Sequence, residues 1–160
     1  MENKAEEVNT FSLQEIESFL SLEGMVITDV MYHIWRNKID PENVIDSLDY
    51  IDFIFENKYR VTLYAGLESD GIKVVELDLA KEQARIEEEF GDKIELLTFD
   101  VTNEEPWSDT QNLVLEKIQL EQLKNGLYHN QSLLLHFTSE AVEIRISPIE
   151  GLIVDYHEEV

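Results

Sequence analysis

Two stretches of the chain, VTLYAGLESDGIKVVEL at 61–77 and AVEIRISPIEGLIVDYH at 141–157, carry one pattern: an alternating apolar run, a polar turn with a glycine, and a second run. A two-residue period gives a strand one apolar face, and a short glycine-bearing break reverses the chain, so each stretch reads as a strand, a turn and a strand. A β-unit this small cannot bury its apolar face alone and needs another layer to cover it. Because the pattern occurs twice, the natural cover for each unit is the other.

The correspondence reaches further back along the chain. A shift of 88 residues lays FLSLEGMVITDVMY (19–32) on WSDTQNLVLEKIQL (107–120), pairing Phe19 with Trp107, Gly24 with Asn112, Val26 with Val114, Ile27 with Leu115 and Val30 with Ile118. Glycine and asparagine are the residues that best tolerate a left-handed backbone, so the Gly24 and Asn112 match is one of geometry. A shift of 82 pairs Ile51, Phe53 and Phe55 with Leu133, Leu135 and Phe137; a shift of 81 pairs Val61 with Val142 and Leu63 with Ile144; a shift of 80 pairs Gly71 with Gly151, Ile72 with Leu152 and Val74 with Val154. The shifts fall steadily, as they do when each loop of the later copy is shorter. Antiparallel meanders share alternation and turn glycines by default, which is the competing explanation. The common order of four elements favours a duplicated β-unit, 25–77 and 113–156.

Two helices are legible. In FSLQEI (11–16), Ser12 and Glu15 form a capping box and Phe11 can staple onto Ile16, which predicts a helix over 13–22 with Leu13, Ile16 and Leu20 as its apolar stripe, Phe19 beside it and Gly24 at its end. AKEQARIEEEF (80–90) consists of good helix formers, with Leu79, Ile86 and Phe90 on one face and Gly91 after it. RNKIDPENVIDS (36–47) reads as a polar stretch after the β-like MVITDVMYHIW; in IDFIF, Ile51, Phe53 and Phe55 share one strand face and Asp52 and Ile54 the other; Asn57 and Lys58 make the next turn, and LESDG (67–71) another. IELLTFDV (94–101) reads as a strand, and NEEPWSDTQN (103–112) as a loop in which Pro106 blocks a ladder. The expected architecture is α+β: a single domain with a polar tail at 1–10, a mainly antiparallel sheet system in two related halves, one N-terminal helix and one helix in the connector, 78–112.

The 160 residues include 35 acids against 12 bases, a net charge of −23. That balance opposes phosphate backbones and anionic membranes, both of which need local positive charge on the protein, so neither nucleic acid nor membrane is an expected partner. The absence of cysteine excludes disulfides, thiolate metal sites and thiol nucleophiles. MENKAEEVNT lacks the basic start and apolar core of a signal peptide, and no apolar run approaches the roughly 20 residues of a membrane span, so a cytoplasmic monomer or small homo-oligomer is expected. The charge is uneven. The connector 78–112 holds 11 acids against 3 bases, more lopsided than any other segment.

No catalytic or cofactor signature accompanies this. The four histidines, His33, His129, His136 and His157, lack the three- or four-residue spacing that puts two ligands on one helix face, so no metal is expected. His136, between Leu135 and Phe137, reads as an outward or satisfied strand residue. LESDG lacks the alternating acids and closing glutamate of a calcium loop, and no phosphate-cradling glycine motif or nucleophile elbow is present, so catalytic residues and cofactors are both assigned as none. What remains is the acidic surface: Glu87, Glu88 and Glu89 on the connector helix, Glu104 and Glu105 before Pro106, and Trp107 as either a loop anchor or a contact residue. The expected function is an acidic protein-interaction domain that binds a basic protein, comparable by size and charge alone to the immunity proteins that neutralise nuclease toxins. The alternative is a small enzyme or ligand-binding domain with its pocket between the two β-units.

Overall fold

The computed structural model describes residues 9–66 and 70–157, so most of the expected polar tail and the first three residues of the LESDG turn lie outside the described residues. In chain order the elements are α1 (Leu13–Leu22), β1 (Ile27–Asn37), β2 (Ile45–Phe55), β3 (Arg60–Tyr64), β4 (Lys73–Val75), α2 (Leu79–Phe90), β5 (Ile94–Asp100), α3 (Trp107–Thr110), β6 (Leu115–Gln119), β7 (Ser132–Phe137), β8 (Ala141–Ser147) and β9 (Gly151–Tyr156). This is the expected α+β class, with strands dominating.

The nine strands form a curled mixed sheet. Its path runs β4-β3-β2-β9-β8-β7-β6, with β1 on β2 and β5 on β1. Pairs are antiparallel except β2 and β9, which meet in parallel at Leu48 and Gly151, so the sheet is mixed and not uniformly antiparallel. The curl brings β6 back to β1: Val26 and Val114 form an antiparallel bridge, and the Leu115 amide donates to the Met25 carbonyl at 2.8 Å. The inner face encloses the main core, in which Val30, Ile51, Ala65, Ile72, Trp107, Val142 and Ile144 are fully buried.

The registers on the two sides of this core run in step. Ile27 faces Phe55 and Leu115 faces Phe137; after a register break at 27/29 in one pair and 115/117 in the other, Val30 faces Phe53 and Ile118 faces Leu135. Ile51 faces Leu63, and Phe53 faces Val61; Leu133 faces Ile144, and Leu135 faces Val142. Leu63 faces Val74, and Ile144 faces Val154. Gly24 and Asn112 both have positive φ, +90° and +67°.

Three local expectations are corrected. In α1 the capping box is present, with the Ser12 hydroxyl accepting from the Glu15 amide at 3.1 Å and Glu15 Oε1 accepting from the Ser12 amide at 2.9 Å. Its buried stripe is Phe19 and Leu22 with Ile16, while Leu13 and Leu20 are 74% and 60% exposed. Phe11, edge-on to Phe19 at 5.1 Å, sets which face docks. The polar stretch at 36–47 is partly strand, because a two-pronged ion pair from Arg36 to Asp46, at 2.8 and 2.9 Å, holds the ends of β1 and β2 together. The loop at 103–112 contains the short helix α3, whose Thr110 hydroxyl donates to the Trp107 carbonyl at 3.0 Å.

Candidate functional site

The side chains with unusual chemistry gather on the outer face of the first half, under α2 and beside β5. Alternation sends Ile51 and Phe53 inward and therefore turns Asp52 outward, where its cross-strand partner is Thr62 of β3. His33 of β1 lies opposite Thr98 of β5. The four make one chain: Thr98 Oγ1 to His33 Nδ1 at 2.8 Å, His33 Nε2 to Asp52 Oδ2 at 2.7 Å, and the Thr62 hydroxyl donating to Asp52 Oδ1. The Arg60 guanidinium lies 3.8 Å from Asp52. His33 and Asp52 side chains are each 3% exposed. Burial alone would raise the Asp52 carboxyl, but the hydrogen bonds from His33 and Thr62 and the charges of Arg60 and His33 outweigh it and hold the group below the usual carboxylate range. Hydroxyl, imidazole and carboxylate stand in the order of a proton relay. With both ring nitrogens committed, neither is left for a bound molecule, and among the described residues no buried side-chain N or O lacks a partner.

A second cluster lies where α2 crosses β2 and β3. Tyr50 and Tyr64 stack at 4.7 Å, and the Tyr50 hydroxyl donates to Glu82 of α2 at 3.2 Å. Arg85 bridges Glu82 and Glu89, at 2.6 Å to each. Burial, then the charge of Glu82, pushes the Asp49 carboxyl up to about 6, with Arg85 opposing. The Tyr64 phenol is pushed up to about 12 by burial first and by Asp49 and Glu82 after it. Apolar side chains close the cluster: Ile86, Ile94 and Leu96 are buried, and Trp35 meets Phe90 edge-on at 5.7 Å.

The acids expected to meet a partner stand outside this cover. Glu87, Glu88 and Glu89 are exposed on α2, and Glu104 and Glu105 are exposed in the turn before α3, on a separate element. Trp107 is fully buried; its indole N–H donates to the Tyr32 hydroxyl at 2.7 Å and its ring meets Phe53 edge-on at 5.2 Å. Of the two roles the sequence allowed it, Trp107 takes the anchor and offers a partner no surface. Burial, together with the charge of Glu104 and against the bond from Trp107, pushes the Tyr32 phenol up to about 12. His136 points outward, bonded to Gln119 at 2.8 Å.

Between α2 and β5 runs a groove of about 480 Å³, lined among others by Gln83, Ile86, Glu87, Asp92, Ile94 and Leu96. The cavity between the two halves is lined by apolar side chains of both and measures about 10 Å³. No group of three or more His, Cys, Asp or Glu suited to a metal ion occurs among the described residues, and none of their helices is long and apolar enough to cross a membrane. His33 and Asp52 were missed as a pair; the available signal was an acid set between Ile51 and Phe53, because a charge in such surroundings needs a partner. No protein-family model matches the chain, and neither a curated protein nor a solved structure matches it.

Proposed function

We propose that the chain is an acidic protein-interaction domain whose partner is a basic protein. The observation that carries this reading is the exposed, uncompensated charge of the connector: 11 acids against 3 bases in 78–112, with Glu87, Glu88, Glu89, Glu104 and Glu105 all facing solvent. Arg85 is engaged along its own helix, pairing with Glu82 and Glu89, which leaves Glu87 and Glu88 without an ion pair among the described residues. Such a surface speeds encounter with a positive partner and repels negative ones. Stopped-flow association with a candidate basic protein should slow markedly as salt rises, because the Debye length shrinks to about 8 Å at physiological ionic strength. Reversing Glu87, Glu88 and Glu89 to Lys should lower the on-rate and leave the fold intact. An association rate indifferent to both salt and the reversals would reduce the acidic helix to a solubility feature. The alternative, a ligand pocket between the halves, draws no support from an apolar cavity of about 10 Å³, which is room for about one water-sized sphere.

We also infer that the two halves are copies of one β-unit. Support comes from the registers: residues matched by shifts of 88, 82, 81 and 80 pair with partners that are matched by the same shifts, and the register break recurs at corresponding positions. The hairpin closures agree as well, Phe55 to Tyr59 at 2.9 Å and Phe137 to Glu140 at 2.8 Å, the second loop being one residue shorter. Val26 and Val114, matched residues, face each other across the seam. Since the chain has no cysteine, a Val26→Cys/Val114→Cys variant should close an intramolecular disulfide under mild oxidant. Failure of that crosslink in a folded variant would remove the seam on which the two-copy reading relies.

A further inference from the structure

We propose that the open edge of β5 is the docking strand, and that it takes an extended, lysine- or arginine-bearing segment of the basic partner as an added strand. This rests on the acidic-surface reading and deepens it. Backbone geometry supplies the first support. The ladder between β1 and β5 has hydrogen bonds at both ends, Lys38 amide to Lys93 carbonyl at 2.8 Å and Val101 amide to Val30 carbonyl at 2.9 Å, with an unbroken register between them. Bonded pairs recur at every second residue of an antiparallel ladder, so Glu95, Leu97 and Phe99 turn their backbone groups to β1, while Ile94, Leu96, Thr98 and Asp100 turn theirs outward. Among the described residues no strand pairs with that outer edge. Gln83 Nε2 donates to the Leu96 carbonyl at 3.4 Å, a long bond that an incoming strand would replace.

The surroundings supply the second. The groove beside this edge is lined in part by half-buried Leu97, and Phe99 is 45% exposed at the other end of the strand. Glu87 and Asp92 line it, are exposed and make no ion pair among the described residues; Glu95 is already matched by Lys38 at 2.5 Å. Alternate side chains of an added strand would therefore meet apolar surface and carboxylates by turns. A second copy of this chain is the poorer occupant, because each edge would bring the same acids to the seam, and like charges across a pair destabilise it. On the β4 edge, by contrast, the outward Val74 amide is already taken by Glu15 Oε2 at 2.7 Å.

The probe is a synthetic peptide of alternating lysine and valine, about ten residues long, beside a version of identical charge with every second backbone amide N-methylated. With the full chain at low salt, the unmodified peptide should bind and slow hydrogen exchange at the Leu96 and Thr98 amides about tenfold or more, and N-methylation should weaken binding by about tenfold or more. A Glu87→Lys/Asp92→Lys variant should bind the peptide more weakly and lose most of the salt dependence. Equal binding of the N-methylated peptide, or unchanged exchange at Leu96 and Thr98, would overturn the added strand while leaving attraction by charge in place. No binding of the unmodified peptide, or protection of the same amides in a dimer of the protein alone, would also overturn it. The broader acidic-surface reading stands or falls separately, on the rate measurements with a basic protein.

Discussion

β1–β4 and β6–β9 treat their inner faces alike and their outer faces differently. Inward, Ile51, Phe53 and Phe55 answer to Leu133, Leu135 and Phe137, and all six are at most 4% exposed. Outward, the first half carries Tyr50, Asp52, Thr62 and Tyr64, the two tyrosines packed against α2, where the same shifts put Ser132, Leu134, Glu143 and Arg145 in the second half. Among the described residues no helix packs closely on β7 or β8, and Arg145 pairs with Asp155 at 2.8 Å and with Glu143 at 3.8 Å in a partly exposed ladder. Inner residues set register and core volume together, so a change in one half is felt in the other. The outer face is free of that constraint, and a cover of helix and strand changes the worth of what it carries: a buried carboxylate needs every hydrogen bond, an exposed one does not.

The largest break in this comparison comes from its buried pair. Asp52→Ala, which strands His33 in the covered face, should cost about 3 kcal/mol, whereas Leu134→Ala at the matching open position should cost about 1 kcal/mol, both read as urea midpoints. Restoring an apolar pair with His33→Leu/Asp52→Leu should recover much of the first loss; no recovery would mean the pair specifies more than its own burial. Next come the matched glycines. A Cβ on Gly151, at φ +76°, would lie 2.3 Å from the Leu48 carbonyl oxygen, whereas one on Gly71 would meet the Asn130 side chain at 2.4 Å. Gly151→Ala should therefore cost about 2–3 kcal/mol and Gly71→Ala about half that, since a side chain can shift and a backbone cannot.

Opposed pH dependences sharpen the contrast within the first half. Asp49 is raised to about 6, by burial and then Glu82. A carboxyl raised above its unfolded value binds its proton more tightly in the native state, so the stability it costs grows as pH rises from about 4 to 6 and is constant above. Asp49→Asn should stabilise by about 2 kcal/mol at pH 8, and the gain should vanish near pH 4. Asp52 is lowered, so its contribution runs the other way: present above its unfolded value and lost as acid protonates it. Superimposable pH profiles for wild type and Asp49→Asn would sink this assignment. Smallest of all, reversing Glu87, Glu88 and Glu89 to Lys should move stability by no more than about 0.5 kcal/mol, with circular dichroism unchanged.

What the sequence revealed follows the same division. The inner face was legible because a two-residue period and a turn glycine recur in both halves, and each matched pair of inward residues faces another. The connector helix was legible because Leu79, Ile86 and Phe90 share a face and Gly91, at φ +64°, ends it. The outer face was not. His33 meets Asp52 only through the register of β1 on β2, which shifts beside His33 itself, and no local pattern announces such a shift. The stripe of α1 was misplaced for a related reason: Leu13, Ile16, Phe19, Leu20 and Leu22 offer two overlapping stripes, and docking of Phe11 against Phe19 decides between them. Trp107 could not be placed from its acidic flanks, because the hydroxyl that receives its N–H belongs to Tyr32.

On the two-copy reading, the seam at Val26 and Val114 has a meaning beyond closure. In an antiparallel pairing a residue faces its own equivalent only where a two-fold axis passes between the strands. The bond from Ala65 to Asp49 and the bond from Ile146 to Gln131, both 3.0 Å, are mates under that axis, as are the close approaches of Gly151 to Leu48 and of Gly71 to Asn130. The molecule is then organised as a symmetric dimer written into one chain. Joining two subunits frees them from equality: in a two-chain dimer every substitution appears twice, but α2, β5 and their acids occur once. The connector is thus the part of the molecule that can be tuned toward a partner without a mirrored change on the far side.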